Sequence, residues 1–137
     1  MGGNTMAGIK RTAADHWFSL YVRCRDKWTC QRCHTKYPEY IEGGDHTQLK
    51  GLHCGHANTR GKHGTRIEPD NACALCYGCH SRLDAHPEEK IAFFKNRLGE
   101  ERYNELKRLS NKPFKGFFKN NKEHSAKYRK LFREINK

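Results

Sequence analysis

Long apolar runs are absent from this sequence. Nothing in it approaches the roughly 18 consecutive apolar residues of a membrane-spanning helix, so no membrane association is expected. The opening Met1-Gly2-Gly3-Asn4-Thr5-Met6 lacks the basic and apolar blocks of a secretory signal, which predicts a cytoplasmic protein. Apolar residues are scarce altogether, at 35% against 31% charged over 137 residues. That length suits one domain, and so polar a domain has a small core that a structural metal would help to hold. Acidic groups are the scarcer charge: 15 Asp and Glu face 27 Lys and Arg, a net charge of +12. Such a surplus predicts a polyanionic partner, most commonly nucleic acid. The seven cysteines are an odd number, which excludes a complete disulfide framework. In a reducing compartment they read as metal ligands instead.

The charge is unevenly spread. Residues 1–86 carry 12 basic and 8 acidic side chains, and residues 87–137 carry 15 and 7. Three segments are expected: a flexible tail over 1–11, a core with an N-terminal helix over 12–86, and a basic helical extension over 87–137. Thr12 can cap a helix running to Lys27, with Trp17, Leu20, Tyr21 and Cys24 on one face. Residues 30–55 read as short strands and turns, with a strand between Leu49 and Ala57. Asn58 to Glu68, rich in Gly, Arg, Lys and Thr, reads as an exposed loop. A second strand is predicted over Ala72 to Cys76 and a short helix over Gly78 to Ala85, ended by His86-Pro87. Further helices are predicted from Pro87 to Leu98, from Glu100 to Leu109, and from Phe117 to Ile135, separated by Gly99 and by the Ser110–Gly116 break.

Two Cys-x2-Cys pairs stand out, Cys30-Gln31-Arg32-Cys33 and Cys76-Tyr77-Gly78-Cys79. Two intervening residues let a tight knuckle aim both sulfurs at one ion, and two knuckles complete a tetrahedral thiolate site. A structural Zn²⁺ on Cys30, Cys33, Cys76 and Cys79 is therefore expected. The 42 residues between the pairs exceed the usual finger spacing, so a subdomain must be inserted between the knuckles. His34 and His80 follow the pairs, giving Cys-x2-Cys-His twice, which is also the attachment signature of c-type haem. Haem attachment requires an oxidising compartment, and no haem is expected. Cys24, Cys54 and Cys73 read as small buried hydrophobes, with Cys54 or His53 as substitutes for an assumed zinc ligand.

Inside this framework lie Cys54-Gly55-His56, Pro69-Asp70-Asn71 and Cys79-His80-Ser81-Arg82-Leu83-Asp84. His56 and Asn71 are 15 residues apart, and Asn71 and His80 nine. The pattern resembles the HNH endonuclease family, and the stretch from Cys54 to Asp84 most resembles phage-encoded members, including NinG-type recombination nucleases. The resemblance is good over residues 30–86 and loose beyond them. It implies an α+β fold: a small ββα-metal core over a four-Cys zinc site, flanked by an N-terminal helix and C-terminal helices. It also implies metal-dependent hydrolysis of DNA phosphodiesters leaving 5′ phosphate and 3′ hydroxyl ends, with the host cytoplasm as the location if the chain is phage-encoded. His56 would be the general base, since an imidazole titrating near pH ~6.5 accepts a proton at neutral pH. Asn71 would pin the loop carrying His56, and His80 would hold a catalytic divalent ion. Asp84, one helical turn on, projects from the same face and can bind that ion; a carboxylate with one imidazole suits Mg²⁺ or Mn²⁺. Many family members carry Asp or His just before the first His, where this chain has Gly55.

Arg60 is the first candidate for a phosphate clamp, because its planar fork matches two phosphate oxygens, with Lys62 and Arg66 behind it. In the extension Lys115, Lys119, Lys122, Lys127, Arg129 and Lys130 can track a DNA backbone. The interleaved Phe114, Phe117, Phe118, Tyr128 and Phe132 read chiefly as residues that dock the helix. Two other function classes fit the same residues. One is a non-catalytic zinc module that binds nucleic acid, for which Gly55 is the best support. The other is a subunit of a larger nuclease assembly with phage packaging or recombination proteins as partners.

Overall fold

A computed structural model of the chain describes residues 10–44 and 49–136. Helix α1 (Ala13–Arg25) starts where the sequence places its cap. The Thr12 side chain accepts a hydrogen bond from the Asp15 amide, and Asp15 returns the favour to the Thr12 amide, a reciprocal capping box. Two antiparallel strands follow, β1 (Leu52–His56) and β2 (Ala72–Cys76), in a register that pairs Leu52 with Cys76 and His56 with Ala72. A 3₁₀ turn (Pro69–Asn71) leads into β2, and helix α2 (Tyr77–Ala85) begins directly after it. Helices α3 (Pro87–Leu98), α4 (Glu100–Asn111) and α5 (Asn121–Ile135) complete the chain. The fold is thus a set of helices around one small two-stranded sheet. Among the described residues no helix is long and apolar enough to cross a membrane.

Two strands alone cannot bury a core, so helices must cover them. Every residue of β2 is buried. Its outer edge is closed by the end of α1 and the segment after it: Asp26 Oδ2 accepts from the Ala74 amide at 2.8 Å, and the Gln31 amide donates to the Ala74 carbonyl at 2.9 Å. Arg25 adds hydrogen bonds to the Pro69 and Ala72 carbonyls. Lys27 and Trp28 adopt left-handed backbone angles (φ 57° and 56°), turning the chain sharply out of α1 toward the first cysteine pair.

Helix α1 is buried on a wider arc than the single face expected of it. Leu20 joins the main core with Trp28, Leu52, Leu75, Leu83 and Phe94, whereas Phe18 and Val22 pack with Ala72 and Tyr128. The second contact arises because α5 folds back onto α1, with Tyr128 edge-on to Phe18 (5.0 Å between ring centres) and its hydroxyl donating to the Ile67 carbonyl. The basic extension is therefore part of the same core. Helix α5 starts at Asn121, later than expected. Of the aromatics expected to dock it, Phe117, Tyr128 and Phe132 are buried, whereas Phe114 and Phe118 are exposed at 45% and 55%.

Two expectations are corrected. The segment 58–68 is not a plain exposed loop: Asn58, Thr65 and Arg66 are buried. Arg66, expected to reach phosphate, is 1% exposed. Its Nε and Nη2 donate to the two Asp15 oxygens at 3.0 and 2.7 Å, and its guanidinium lies over the Phe117 ring, 4.3 Å from the centroid. A guanidinium so enclosed has no face left for a nucleic acid. The expected tail over 1–11 lies mostly outside the described residues, but Lys10 is fastened, its carbonyl accepting from Arg66 Nη2 at 2.6 Å.

Removing one partner of a buried pair leaves the other charge uncompensated. Asp15→Ala is expected to cost about 3–5 kcal/mol in denaturant unfolding of the zinc-loaded protein. A change below about 1 kcal/mol, the scale of an exposed pair, would show that the pair is solvated.

Candidate metal centre and histidine cleft

The two cysteine pairs converge as expected. Cys30 and Cys33 lie in the turn after α1, and Cys76 and Cys79 at the junction of β2 and α2. Their ligand atoms all lie within 4.8 Å of one another, and Cys33 Sγ and Cys76 Sγ are 3.8 Å apart. A tetrahedron with Zn–S bonds of about 2.3 Å has an edge of about 3.8 Å. Backbone amides support the sulfurs: those of Arg32 and Cys33 point at Cys30 Sγ, and that of Cys79 points at Cys76 Sγ. Arg32 Nη1 donates to Cys79 Sγ at 3.4 Å, placing a positive charge where bound thiolates would be negative. The four cysteines can hold a structural metal such as zinc. By contrast, burial pushes the Cys54 and Cys73 thiols up to about 12, so both stay protonated at neutral pH and are not nucleophiles.

On the other side of β1 lies a cleft of about 550 Å³ lined by His53, His56, His80, Asp84, Arg60 and Arg23, among others. His56 ends β1. Its Nε2 faces the Arg66 carbonyl at 3.2 Å; a carbonyl can only accept, so Nε2 carries the proton and Nδ1 is the basic atom. Burial, reinforced by the Arg60 charge and opposed by the hydrogen bond to Arg66, lowers its pKa to about 4.

Asn71 is fully buried with every polar capacity used. Its Oδ1 accepts from the Asn58 amide and Asn58 Nδ2 (2.9 and 3.1 Å), and its Nδ2 donates to the Asn58 and Thr65 carbonyls (3.0 and 3.1 Å). It thereby ties down both ends of the segment whose next residue, Arg66, supplies the carbonyl that orients His56. Asn71 does not line the cleft.

His80 projects from α2 into the cleft. Its Nε2 lies 3.4 Å from Asp84 Oδ2, one turn on, and Lys90 Nζ from α3 meets Asp84 Oδ1 at 3.2 Å. Its Nδ1 lies 3.0 Å from Nδ1 of His53, a residue the sequence reading named only as a substitute zinc ligand. Burial lowers the pKa of both rings; the neighbouring His80 and Arg23 charges add to the effect at His53. Gly55 is buried, and a Cβ there would come 2.5 Å from Leu75 Cδ1, so a side chain at this position requires the tip of Leu75 to move.

Of the expected phosphate contacts, Arg60 lines the cleft with Nη1 buried and without a hydrogen-bond partner, 3.8 Å from Asp15 Oδ2. Arg11 and Arg23, not singled out in the sequence, line it too. Lys62, Lys115, Lys119, Lys122, Lys127, Arg129 and Lys130 are exposed. Lys127 leans over Tyr128, and Arg129 lies 6.0 Å from the Trp17 ring centre. Compared with known proteins, the chain matches no family model, no curated protein and no solved structure.

Two outcomes follow. The purified protein is expected to carry one zinc per chain by elemental analysis, and Cys76→Ser is expected to lose both the metal and cooperative unfolding; a metal-free protein that unfolds as sharply would refute the site. Because the folded-state pKa of His56 lies below the value of about 6.5 in an unfolded chain, its ring stays neutral and stability declines as pH falls from about 6.5 toward 4. In NMR its ring resonances should stay still between pH 8 and 5, and a midpoint near 6.5 would show that the ring is solvated.

Proposed function

We propose that the protein is a metal-dependent endonuclease of the HNH type that hydrolyses DNA phosphodiester bonds. One observation carries this reading: His56, with its proton held on Nε2 and its Nδ1 free, shares a cleft with His80, and the fully bonded Asn71 holds the segment between them. The order β1, β2, α2, with His56 ending one strand, Asn71 immediately before the next and His80 on the helix, supports this reading, because the resemblance implies a strand–strand–helix order.

In this mechanism a water in the cleft gives its proton to His56 Nδ1 as it attacks phosphorus. The buried Nε2–H···O contact keeps the ring in that tautomer and orientation throughout. A pKa of about 4 keeps the base free at neutral pH but makes it a weak one, so the water needs further activation. His80 would hold a divalent cation, which when bound would supply that activation and positive charge for the phosphate and the leaving 3′ oxygen. Mg²⁺ and Mn²⁺ are the ions expected from the sequence. Arg60, Arg23 and Arg11 bring positive charge to the same cleft, where Arg60 Nη1 has an unused donor for a phosphate oxygen. The exposed cations of α5 extend this field to flanking phosphates without reading bases. Cleavage in phage DNA processing or recombination is the setting that the resemblance suggests.

His56→Ala is expected to lower divalent-metal-dependent plasmid nicking by at least about 100-fold, the lower range for loss of an acid–base catalyst. Zinc content and DNA binding by gel shift should be unchanged. Equal nicking by wild type and variant would overturn the assignment, and DNA binding with no cleavage under any divalent metal would favour a non-catalytic zinc module.

A further inference from the structure

The ion site rests on more than the residues the sequence offered, and the two nitrogens of His80 decide how. Nε2 faces a carboxylate, Asp84, at 3.4 Å. A carboxylate only accepts, so its proximity favours a neutral His80 with the proton on Nε2 and the lone pair on Nδ1. That nitrogen lies 3.0 Å from Nδ1 of His53. Two nitrogens 3.0 Å apart span the edge of an octahedron whose bonds are about 2.1 Å long, the distance expected for a nitrogen ligand of a small divalent ion. Asp84 does not complete this set: among the described residues the four cysteines are the one group of three or more candidate ligands whose atoms all lie within 4.8 Å of one another.

We infer that the divalent ion of the cleft is held by Nδ1 of His53 and Nδ1 of His80, with Asp84 fixing the His80 ring from behind rather than binding the ion. Lys90 is the second positioning residue, because Nζ holds the other Asp84 oxygen at 3.2 Å and anchors that carboxylate to α3. The arrangement is a carboxylate–histidine–metal relay, in which the outer acceptor sets the tautomer and raises the basicity of the ligating nitrogen. His53 sits two residues before Gly55 on the same face of β1, so it supplies the side chain that Gly55 lacks. Two imidazoles also shift metal preference from Mg²⁺ toward Mn²⁺, Co²⁺, Ni²⁺ and Zn²⁺.

The inference names the ion site of the nuclease reading, and its test reads binding apart from cutting. Mn²⁺ is titrated into zinc-loaded protein and followed by electron paramagnetic resonance. One Mn²⁺ per chain should bind, with electron-spin-echo modulation from two imidazole nitrogens. His53→Ala should weaken binding at least 10-fold and leave one such nitrogen, and His53→Asn, which keeps a side chain of similar reach, does the same if Ala unfolds the protein. Asp84→Asn should weaken binding roughly 10–100-fold while both nitrogens remain. His86→Ala, exposed and outside the cleft, serves as the control. Unchanged binding in both His53 variants, or one nitrogen in the wild type, would overturn the ligand assignment. Mn²⁺ bound through two imidazoles to a protein that leaves plasmid intact would sink the nuclease reading alone.

Discussion

Arg66 is the point on which the interior and the cleft both depend. Its guanidinium is shared by Asp15 of α1, the Lys10 carbonyl and the Phe117 ring, so one side chain binds the start of the fold to its C-terminal third. Its carbonyl accepts from His56 and decides which nitrogen of that ring is basic. Burial by itself raises the Asp15 carboxyl, but hydrogen bonds from Arg66 and Thr12 and the Arg66 charge hold it below its ordinary range. The pair is thus ionised inside a small core, where desolvation is costly unless both ends are fully bonded. The capping box serves this purpose as much as it serves the helix, since the Thr12 amide and hydroxyl both donate to Asp15 Oδ2, the oxygen that also accepts from Arg66 Nη2.

How far the sequence reveals this follows from the range of the forces involved. The zinc knuckles, the strand over Ala72 to Cys76, the cap at Thr12 and the stop at His86-Pro87 rest on residues within a few positions of one another, and local spacing shows them. Arg66 looked like an exposed loop cation because its partner lies 51 residues earlier, and no local pattern marks a loop arginine for the interior. His53 went unassigned for a related reason. It follows Leu52 on a short strand, and its partner His80 is reached only once β1 has paired with β2 and α2 has turned back over the sheet. The one local signal for His53 is negative: Gly55 lacks a side chain, and His53 is the preceding residue on the same face of the strand.

The cleft joins two environments that would conflict if they were not separated. Around His56 the fixed charges are positive, from Arg60, Arg23 and Arg11, and the one carboxylate at that end, Asp15, is already spent on Arg66. Burial lowers the pKa of Arg23 to about 10, which still leaves it charged at neutral pH. This end therefore attracts an anion and keeps His56 neutral. Around His80 the balance differs, because Asp84 sits beside the ring and offsets Lys90.

That division bears on why Gly55 does not weaken the site. A carboxylate at position 55 would have to shift the tip of Leu75, whose Cδ1 lies 2.5 Å from where the Cβ would stand. His53, two residues earlier on the same face of the strand, lies 3.0 Å from His80. The carboxylate beside this pair is Asp84, on the far side of the His80 imidazole, and Lys90 holds it from outside the strand–strand–helix unit. Helix α3, which the sequence assigned to a basic extension, thereby becomes a structural support of the cleft.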